Sequence, residues 1–254
     1  MQRYFVKTSQ IVDNQVTITG DDVHHITNVM RATVGEQLLV CTDERQTFLV
    51  AVETMNKTEI IARIVAPKEE DVEMPIMVAI AQGITKGDKF DLVVQKATEC
   101  GAATFIPVAM KRSVAKIDAS KAAKKVERWQ KIALEAARQA HRQIVPEVVE
   151  PIDMKGLVAL ATDYDVCLFA YETFDATSRT RLATVVDDLS GGERVLVLIG
   201  PEGGFDATEV ALLESDGFLP IGLGPRILRT ETAPIYVMAA LSYALEVEGG
   251  SMKC

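Results

Sequence analysis

The sequence predicts an α/β protein of two domains, a small β-rich one at residues 1–72 and a larger one at residues 73–254. The 254 residues, 48% of them hydrophobic, suffice for two cores. Short alternating or β-branched runs fill the first 72 residues, whereas strand-like runs alternate with helical patterns after Pro75. This alternation predicts a mainly parallel sheet that is covered by helices on both faces.

The first domain is predicted to be a small β-barrel with one short helix. In the stretch GDDVHHITNVMRA, Asp21 or Asp22 is the expected N-cap of that helix. The acidic segment 67–75, bracketed by Pro67 and Pro75, is the expected linker. Strands are expected at 15–20, 36–42, 46–53 and 58–66.

The second domain is expected to alternate regularly between strands and helices. The predicted strands are 76–82, 104–109, 166–171, 194–199 and 218–222. The predicted helices are 88–100, 177–188, 207–215 and 232–247, together with one in a basic segment at 111–142.

The basic segment stands out because the whole chain has a formal net charge of −9. It holds ten lysines and arginines against three acidic residues. The helical spacing of its apolar residues turns Ala122, Val126, Trp129, Ala133, Ala136 and Ala140 toward the core. The opposite side fits either a phosphate-binding surface or an ordinary solvated face. It carries Lys121, Lys124, Lys125, Arg128, Lys131, Arg138 and Arg142.

Composition argues against several classes of protein. The longest apolar runs, such as 76–81, fall far short of the roughly 20 residues that a membrane span needs, and the first residues lack a signal-peptide pattern. We therefore expect a cytoplasmic protein without a membrane partner. The cysteines are widely spaced with no C-x-x-C pair, so we expect reduced thiols and no metal site.

The stretch LIGPEGGF, residues 198–205, follows a buried strand and carries one carboxylate, Glu202. Ligands of parallel sheets usually bind where strands end. Asp206 and Glu209 form a capping signature for the next helix. Gly203 and Gly204 permit positive φ and close approach of a ligand to the backbone. The loop matches neither a Walker loop nor G-x-G-x-x-G.

A second strand exit lies in IGLGPRILRTETAPIYVMAAL, residues 221–241. Thr230 or Thr232 is the expected helix cap, and Pro234 is tolerated in the first turn. Arg226 and Arg229 need an anionic or carbonyl partner. That partner is either a ligand or an internal glutamate, for which Glu231 is the nearest candidate.

Together these two exits are similar to those of the SPOUT superfamily of S-adenosylmethionine methyltransferases. Four further stretches resemble the RsmE family, which methylates N3 of a uridine in 16S (small-subunit) ribosomal RNA. They are DDVHHITNVMRATVGE (21–36), KFDLVVQKATECG (89–101), PVAMKRSV (107–114) and RWQKIALEAARQAHRQIVPEV (128–148). The resemblance implies a PUA-like β-barrel at 1–72, a trefoil-knot methyltransferase domain at 73–254, and a homodimer.

The resemblance also implies a site. S-adenosyl-L-methionine would bind mainly to backbone groups and leave as S-adenosyl-L-homocysteine, without a metal. Arg229 is our choice to stabilise charge on a uracil oxygen. Glu202 or Glu231 is the candidate base or the orienter of that arginine. The implied cofactor residues are Leu198, Ile199, Gly200, Gly203, Ile221, Leu223, Gly224, Ile227, Leu228 and Thr230. The expected RNA contacts are His25, Arg31, Lys111, Arg112, Arg138 and Arg142.

Three other functions stay open at this stage. A different SPOUT enzyme would act on tRNA or on a ribose hydroxyl. An RNA-binding protein with a degenerate pocket would keep the basic segment and lose the cofactor. An unrelated nucleotide-binding α/β enzyme is a more distant alternative.

Overall fold

A computed structural model describes residues 1–70, 72–115, 118–171 and 176–248. The chain divides into two compact units. The first comprises Met1–Glu73 with Ala137–Val145, and the second comprises Met74–Ala136 with Pro146–Cys254. The first unit contains a mostly antiparallel sheet and the second a parallel sheet, so the predicted fold class is confirmed.

The sheet of the first unit has six strands. They are β1 (Arg3–Val6), β2 (Ile11–Val12), β3 (Gln15–Thr19), β4 (Gln37–Thr42), β5 (Thr47–Met55) and β6 (Glu59–Lys68). Their order is β1-β4-β5-β6-β3-β2, and only β1 and β4 pair in parallel. Alternate residues, such as Val16 with Ile18 and Val50 with Val52, enter one buried core.

The predicted N-cap of the short helix in this unit was wrong, and strand β6 runs further than predicted, although the boundary between the two units at Glu73 and Met74 falls within the predicted linker. The helix α1 (Asp21–His24) is capped by Gly20 at φ 75°, a conformation that glycine adopts far more readily than aspartate. It continues as a π-helical turn over His25–Val29. Strand β6 also runs past Pro67 into the segment predicted as a linker, because Phe48 of β5 pairs with that proline.

The second unit is built on a seven-stranded parallel sheet. Its strands are β7 (Met77–Gly83), β8 (Thr104–Ala109), β9 (Glu147–Val148), β10 (Ile152–Asp153), β11 (Val166–Ala170), β12 (Arg194–Ile199) and β13 (Leu219–Ile221). Their order is β10-β8-β7-β12-β11-β13, with β9 paired to β8. The helices are α2 (Lys89–Glu99), α3 (Ala119–Gln139), α4 (Met154–Ala161), α5 (Ala176–Asp188), α6 (Ala207–Ser215) and α7 (Thr232–Ser242).

Cores form on both faces of this sheet. In β12, Val195 and Val197 belong to one hydrophobic cluster, while Leu196 and Leu198 belong to another. The alternation follows from the two-residue period of a strand. It explains why these strands are hydrophobic almost throughout. None of the helices in the described ranges is long and apolar enough to cross a membrane.

The basic segment forms α3, and its predicted apolar face is largely confirmed. Ala122, Trp129, Ala133 and Ala136 are buried, and Val126 packs partly buried against the core. Ala140 lies just beyond the last helical residue, Gln139. The Trp129 ring packs on Phe90 with centroids 4.2 Å apart, and its Nε1 donates to Asp91 at 2.9 Å.

Candidate active site

Three neighbouring strands end together at one edge of the parallel sheet. Because β12, β11 and β13 run in the same direction, their carboxyl ends meet there. A cavity of about 670 Å³ lies at this edge. Its walls come mainly from residues 199–202 and 204–205 at the end of β12 and residues 221–231 at the end of β13, with additions from residues 170–171, Lys89 and Arg112. The two glycine-bearing exits thus face one space.

Most of the residues implied as cofactor contacts line this cavity. They are Ile199, Gly200, Ile221, Leu223, Gly224, Ile227, Leu228 and Thr230. Two others lie elsewhere. Leu198 is fully buried in the core on one face of the sheet. Gly203 packs against another loop, where an added Cβ would lie 2.9 Å from the Arg112 carbonyl oxygen.

The second cavity loop, which follows β13, has backbone N–H groups that are open to a ligand. In the part of the chain that is described, the N–H groups of Leu223, Gly224, Ile227 and Leu228 make no hydrogen bond. Gly224 has φ 93°, which strongly favours a residue without a Cβ. Open N–H groups beside apolar side chains suit a ligand with a flat ring and polar edges.

Thr230 does not cap α7, contrary to expectation. The N-cap is Glu231, and its side chain makes no capping bond. The Thr230 hydroxyl donates instead to the Gly200 carbonyl at 2.6 Å, which joins the two loops. The predicted cap at the other helix is confirmed, since Asp206 and Glu209 form a complete capping box at α6.

The arginines of the second loop are exposed at the cavity. Arg226 and Arg229 both line it, and neither guanidinium has a hydrogen-bond or ion-pair partner among the described residues. The alternative of an internal arginine–glutamate pair is therefore wrong, because the cation nearest to Glu231 is Lys89, with Nζ 3.8 Å from Oε2. Both guanidinium groups stay available to a ligand.

Lys89 was not predicted as a site residue, although it begins the motif KFDLVVQKATECG. It lines the cavity, and its Nζ donates to Glu202 Oε1 at 2.9 Å. Burial tends to raise the pKa of Glu202, but hydrogen bonds from Lys89 and from the Lys86 N–H outweigh it and leave the pKa below its usual value. Glu202 is therefore an ionised partner of Lys89 and a weak proton acceptor.

Glu231 has different hydrogen-bond surroundings. Its Oε2 is buried and has no hydrogen-bond partner among the residues described. A buried carboxylate oxygen without a donor is unfavourable, and it is satisfied when a ligand supplies an N–H group. Glu231 itself lines the cavity.

The predicted RNA contacts fall into three different settings. Arg31 is exposed, with φ 54°. His25 Nδ1 and the Tyr4 hydroxyl share a hydrogen bond of 3.0 Å. Arg138 is ion-paired with Asp22. Arg142 is 3% exposed, and its guanidinium donates hydrogen bonds to the Glu73 carboxylate. The prediction that Arg142 contacts an RNA phosphate is therefore contradicted.

The remaining two predicted contacts, Lys111 and Arg112, lie close to the cavity. Both are exposed and near Asp206, with Nζ of Lys111 at 3.5 Å and a guanidinium nitrogen of Arg112 at 3.8 Å. Arg112 also lines the cavity. In the described residues, no group of three or more His, Cys, Asp or Glu is placed to hold a metal.

Comparison with known proteins decides the family. Residues 72–242 match the RNA methyltransferase domain, and residues 18–65 match the RNA methyltransferase PUA domain. The chain belongs to the RNA methyltransferase family. Among curated members of this family, ribosomal RNA small subunit methyltransferase E of Bacillus subtilis (strain 168) is 41% identical over 254 residues, which covers 98% of this chain and 99% of that protein.

Solved methyltransferase structures share the fold. A methyltransferase from Legionella pneumophila, in complex with the cofactor SAM, is 32% identical with a TM-score of 0.82, covering 95% of this chain and 97% of that one. Ribosomal RNA small subunit methyltransferase E from Neisseria gonorrhoeae, bound to S-adenosyl methionine, is 27% identical with a TM-score of 0.80 at the same coverage.

Proposed function

We propose that this protein is an S-adenosylmethionine-dependent methyltransferase that methylates N3 of a specific uridine in 16S ribosomal RNA and releases S-adenosyl-L-homocysteine. The observation that carries the proposal is the cavity between the two glycine-bearing strand exits in a chain of the RNA methyltransferase family. The curated relatives named ribosomal RNA small subunit methyltransferase E support the choice of RNA.

The cavity fits the cofactor. Its volume of about 670 Å³ lies within the usual range for small-molecule sites. Leu223, Ile227 and Leu228 offer apolar surface to an adenine ring, while the open N–H groups of the second loop offer donors to its edge. When bound, S-adenosylmethionine supplies an electrophilic methyl group on a sulfonium sulfur.

The chemistry at uracil requires two things from the protein. N3 of uracil carries a proton at neutral pH, so its lone pair becomes available only as that proton leaves, and negative charge then develops on O2 and O4. Arg229 is proposed to stabilise this charge, because its guanidinium is permanently charged and is not used by any described side chain.

Glu231 is the better candidate to accept the proton. Its Oε2 needs a donor, and the N3–H group of uracil is one. Glu202 is the poorer candidate, because hydrogen bonds from Lys89 and from the Lys86 N–H lower its pKa and make its carboxylate a weaker base. We assign Glu202 the task of fixing Lys89 at the cavity wall.

The wider organisation is proposed on the same basis. Residues 1–72 are proposed as a PUA-like RNA-binding domain and residues 73–254 as the methyltransferase domain, acting as a homodimer in the cytoplasm on ribosomal RNA or the small subunit. His25, Arg31 and Arg138 are proposed RNA contacts of the first unit. Lys111 and Arg112 are those of the second, because both are exposed near the cavity.

Two measurements test this function. Isothermal titration with S-adenosylmethionine should give saturable heat, and its absence at high ligand concentration would favour an RNA-binding protein without catalysis. Nucleoside analysis of small-subunit RNA from a deletion strain should show loss of 3-methyluridine. If 3-methyluridine persisted, the protein would have to methylate another position or another RNA.

A further inference from the structure

Gln82 is a polar side chain in the core that the proposed chemistry does not use. It lies in β7 opposite Ile199, the last residue of β12, and it is completely buried. Burying an amide is unfavourable unless its hydrogen-bonding groups are satisfied. The partners of Gln82 therefore indicate what the residue does.

The amide nitrogen of Gln82 contacts both cavity loops. Nε2, which also lies 3.3 Å from the carbonyl oxygen of its neighbour Gly83, donates to Thr230 Oγ1 at 2.8 Å and to the Gly200 carbonyl oxygen at 3.3 Å. The Thr230 hydroxyl donates to the same carbonyl at 2.6 Å. These three residues form a closed triangle of hydrogen bonds, which we name the Gln82 clasp.

The clasp joins segments that the sheet does not join. Gly200 follows β12 and Thr230 ends the loop after β13, and β11 lies between those two strands. No ladder hydrogen bond connects β12 with β13 in the described sheet order. The loop with the open N–H groups, residues 222–228, is therefore held to the first loop through the side chains of Thr230 and Gln82.

The amide oxygen of Gln82 is less favourably placed than its nitrogen. Gln82 Oε1 is buried without a hydrogen-bond partner among the described residues. An apolar side chain of similar size, such as methionine, would fill the same space and leave no unpaired oxygen. Packing alone therefore does not account for a glutamine here, whereas the link between the loops does.

We propose that Gln82 is a positioning residue for the cofactor: through Thr230 it keeps the two cavity loops at the separation that binding of the adenosine group requires. The inference rests on the proposed function for the identity of the ligand. Gln82 itself does not line the cavity, so it acts through Gly200 and Thr230.

Gln82→Met is the test variant, because it keeps the volume and removes both bonds of the clasp. We expect S-adenosylmethionine to bind about tenfold more weakly in isothermal titration, because the two hydrogen bonds from Gln82 to the cavity loops are lost. In the ligand-free protein, the amides of Thr232 and Ala233, which donate to the Arg229 carbonyl just after Thr230, should exchange with deuterium faster, while those of the central strands β7 and β12 keep their protection.

Gln130→Met is the matched control. Gln130 also makes two bonds in the second unit, donating to the Pro146 carbonyl at 2.8 Å and accepting from the Val148 N–H at 2.9 Å, but it does not line the cavity. It should leave both cofactor affinity and the exchange of the Thr232 and Ala233 amides unchanged. An equal effect of the two variants would overturn the inference by indicating general destabilisation.

Thr230 supplies the second arm of the test. Thr230→Ser keeps the hydroxyl and should retain affinity, whereas Thr230→Val should lose it. The double variant Gln82→Met with Thr230→Val should bind no more weakly than Thr230→Val alone, since one unit is broken only once. Additive losses would overturn the clasp. If the wild-type protein binds no S-adenosylmethionine, the proposed function fails, and the exchange experiment still decides the clasp.

Discussion

Arg229 is the side chain whose removal tests the proposed chemistry most directly. Arg229→Ala deletes an exposed guanidinium that has no described partner, so no buried charge is left unpaired. Such surface substitutions change the free energy of unfolding by less than about 0.5 kcal/mol. The variant should therefore fold normally, and any loss of activity is attributable to the site.

The loss of methyl transfer follows from the charge that Arg229 would stabilise. Removing one donor to a developing oxyanion typically slows catalysis about 100- to 1,000-fold. Because Arg229 is exposed in the structure, solvent weakens its electrostatic contribution, and we expect the lower end, about 100-fold or about 2.7 kcal/mol. Cofactor affinity should change little, since the proposed adenosine contacts come from backbone groups and apolar side chains.

The assay separates binding from transfer. Isothermal titration measures S-adenosylmethionine affinity, and single-turnover methylation of the small subunit at saturating cofactor measures the chemical step. Arg226→Ala is the matched control, because Arg226 is an exposed cavity arginine of the same loop. Unchanged methyl transfer in Arg229→Ala would remove Arg229 from the mechanism. An equal loss in both variants would show that Arg229 contributes only positive charge to the cavity, as Arg226 does.

The other predictions concern a lysine, a surface carboxylate and a core leucine. Lys89→Met removes the cation at 2.9 Å from Glu202, so the pKa of Glu202 should rise in a carboxyl NMR titration; an unchanged pKa would contradict the pair. Hydrogen bonds from Ser190 lower the pKa of Glu193 to about 2, so its stabilisation, complete above the ordinary value of 4.5, should disappear as pH falls through about 2. Glu193→Gln should flatten that part of the stability curve, and an unaltered curve would count against these bonds. Leu157→Ala, at a fully buried site, should cost about 2–5 kcal/mol in urea unfolding, and a loss below about 1 kcal/mol would contradict the packing.

Local sequence patterns were sufficient for many elements of the second unit. The predicted strands 104–109 and 194–199 and the helix 207–215 have the same bounds in the structure. Their signals are local: continuous apolar runs for the buried strands, and a capping box for the helix. The short helix α4 was missed, although Asp153 caps it by accepting from the Gly156 N–H. Glycine within its first turn weakens the helical pattern.

The site was only partly predictable, because local sequence signals mark its loops but not the contacts between distant residues. Glycines, arginines and glutamates at strand ends marked both cavity loops, because each loop is one continuous stretch of sequence. The residues that contact a given side chain, in contrast, come from distant parts of the sequence. Lys89 meets Glu202 across 113 positions, and Gln82 meets Thr230 across 148. Arg142 likewise looks like an exposed base in the sequence, yet it is buried against Glu73.

By itself, the sequence determined the fold class, the strand and helix periods and the two loops that end at one sheet edge, because propensity and hydrophobic period depend on neighbours a few positions apart. The tertiary structure alone decided which carboxylate is held by Lys89, which oxygen of Glu231 lacks a donor, and how Gln82 joins the loops. Hydrogen bonds and ion pairs act over a few ångströms in space, and only the folded chain brings residues more than a hundred positions apart to such distances.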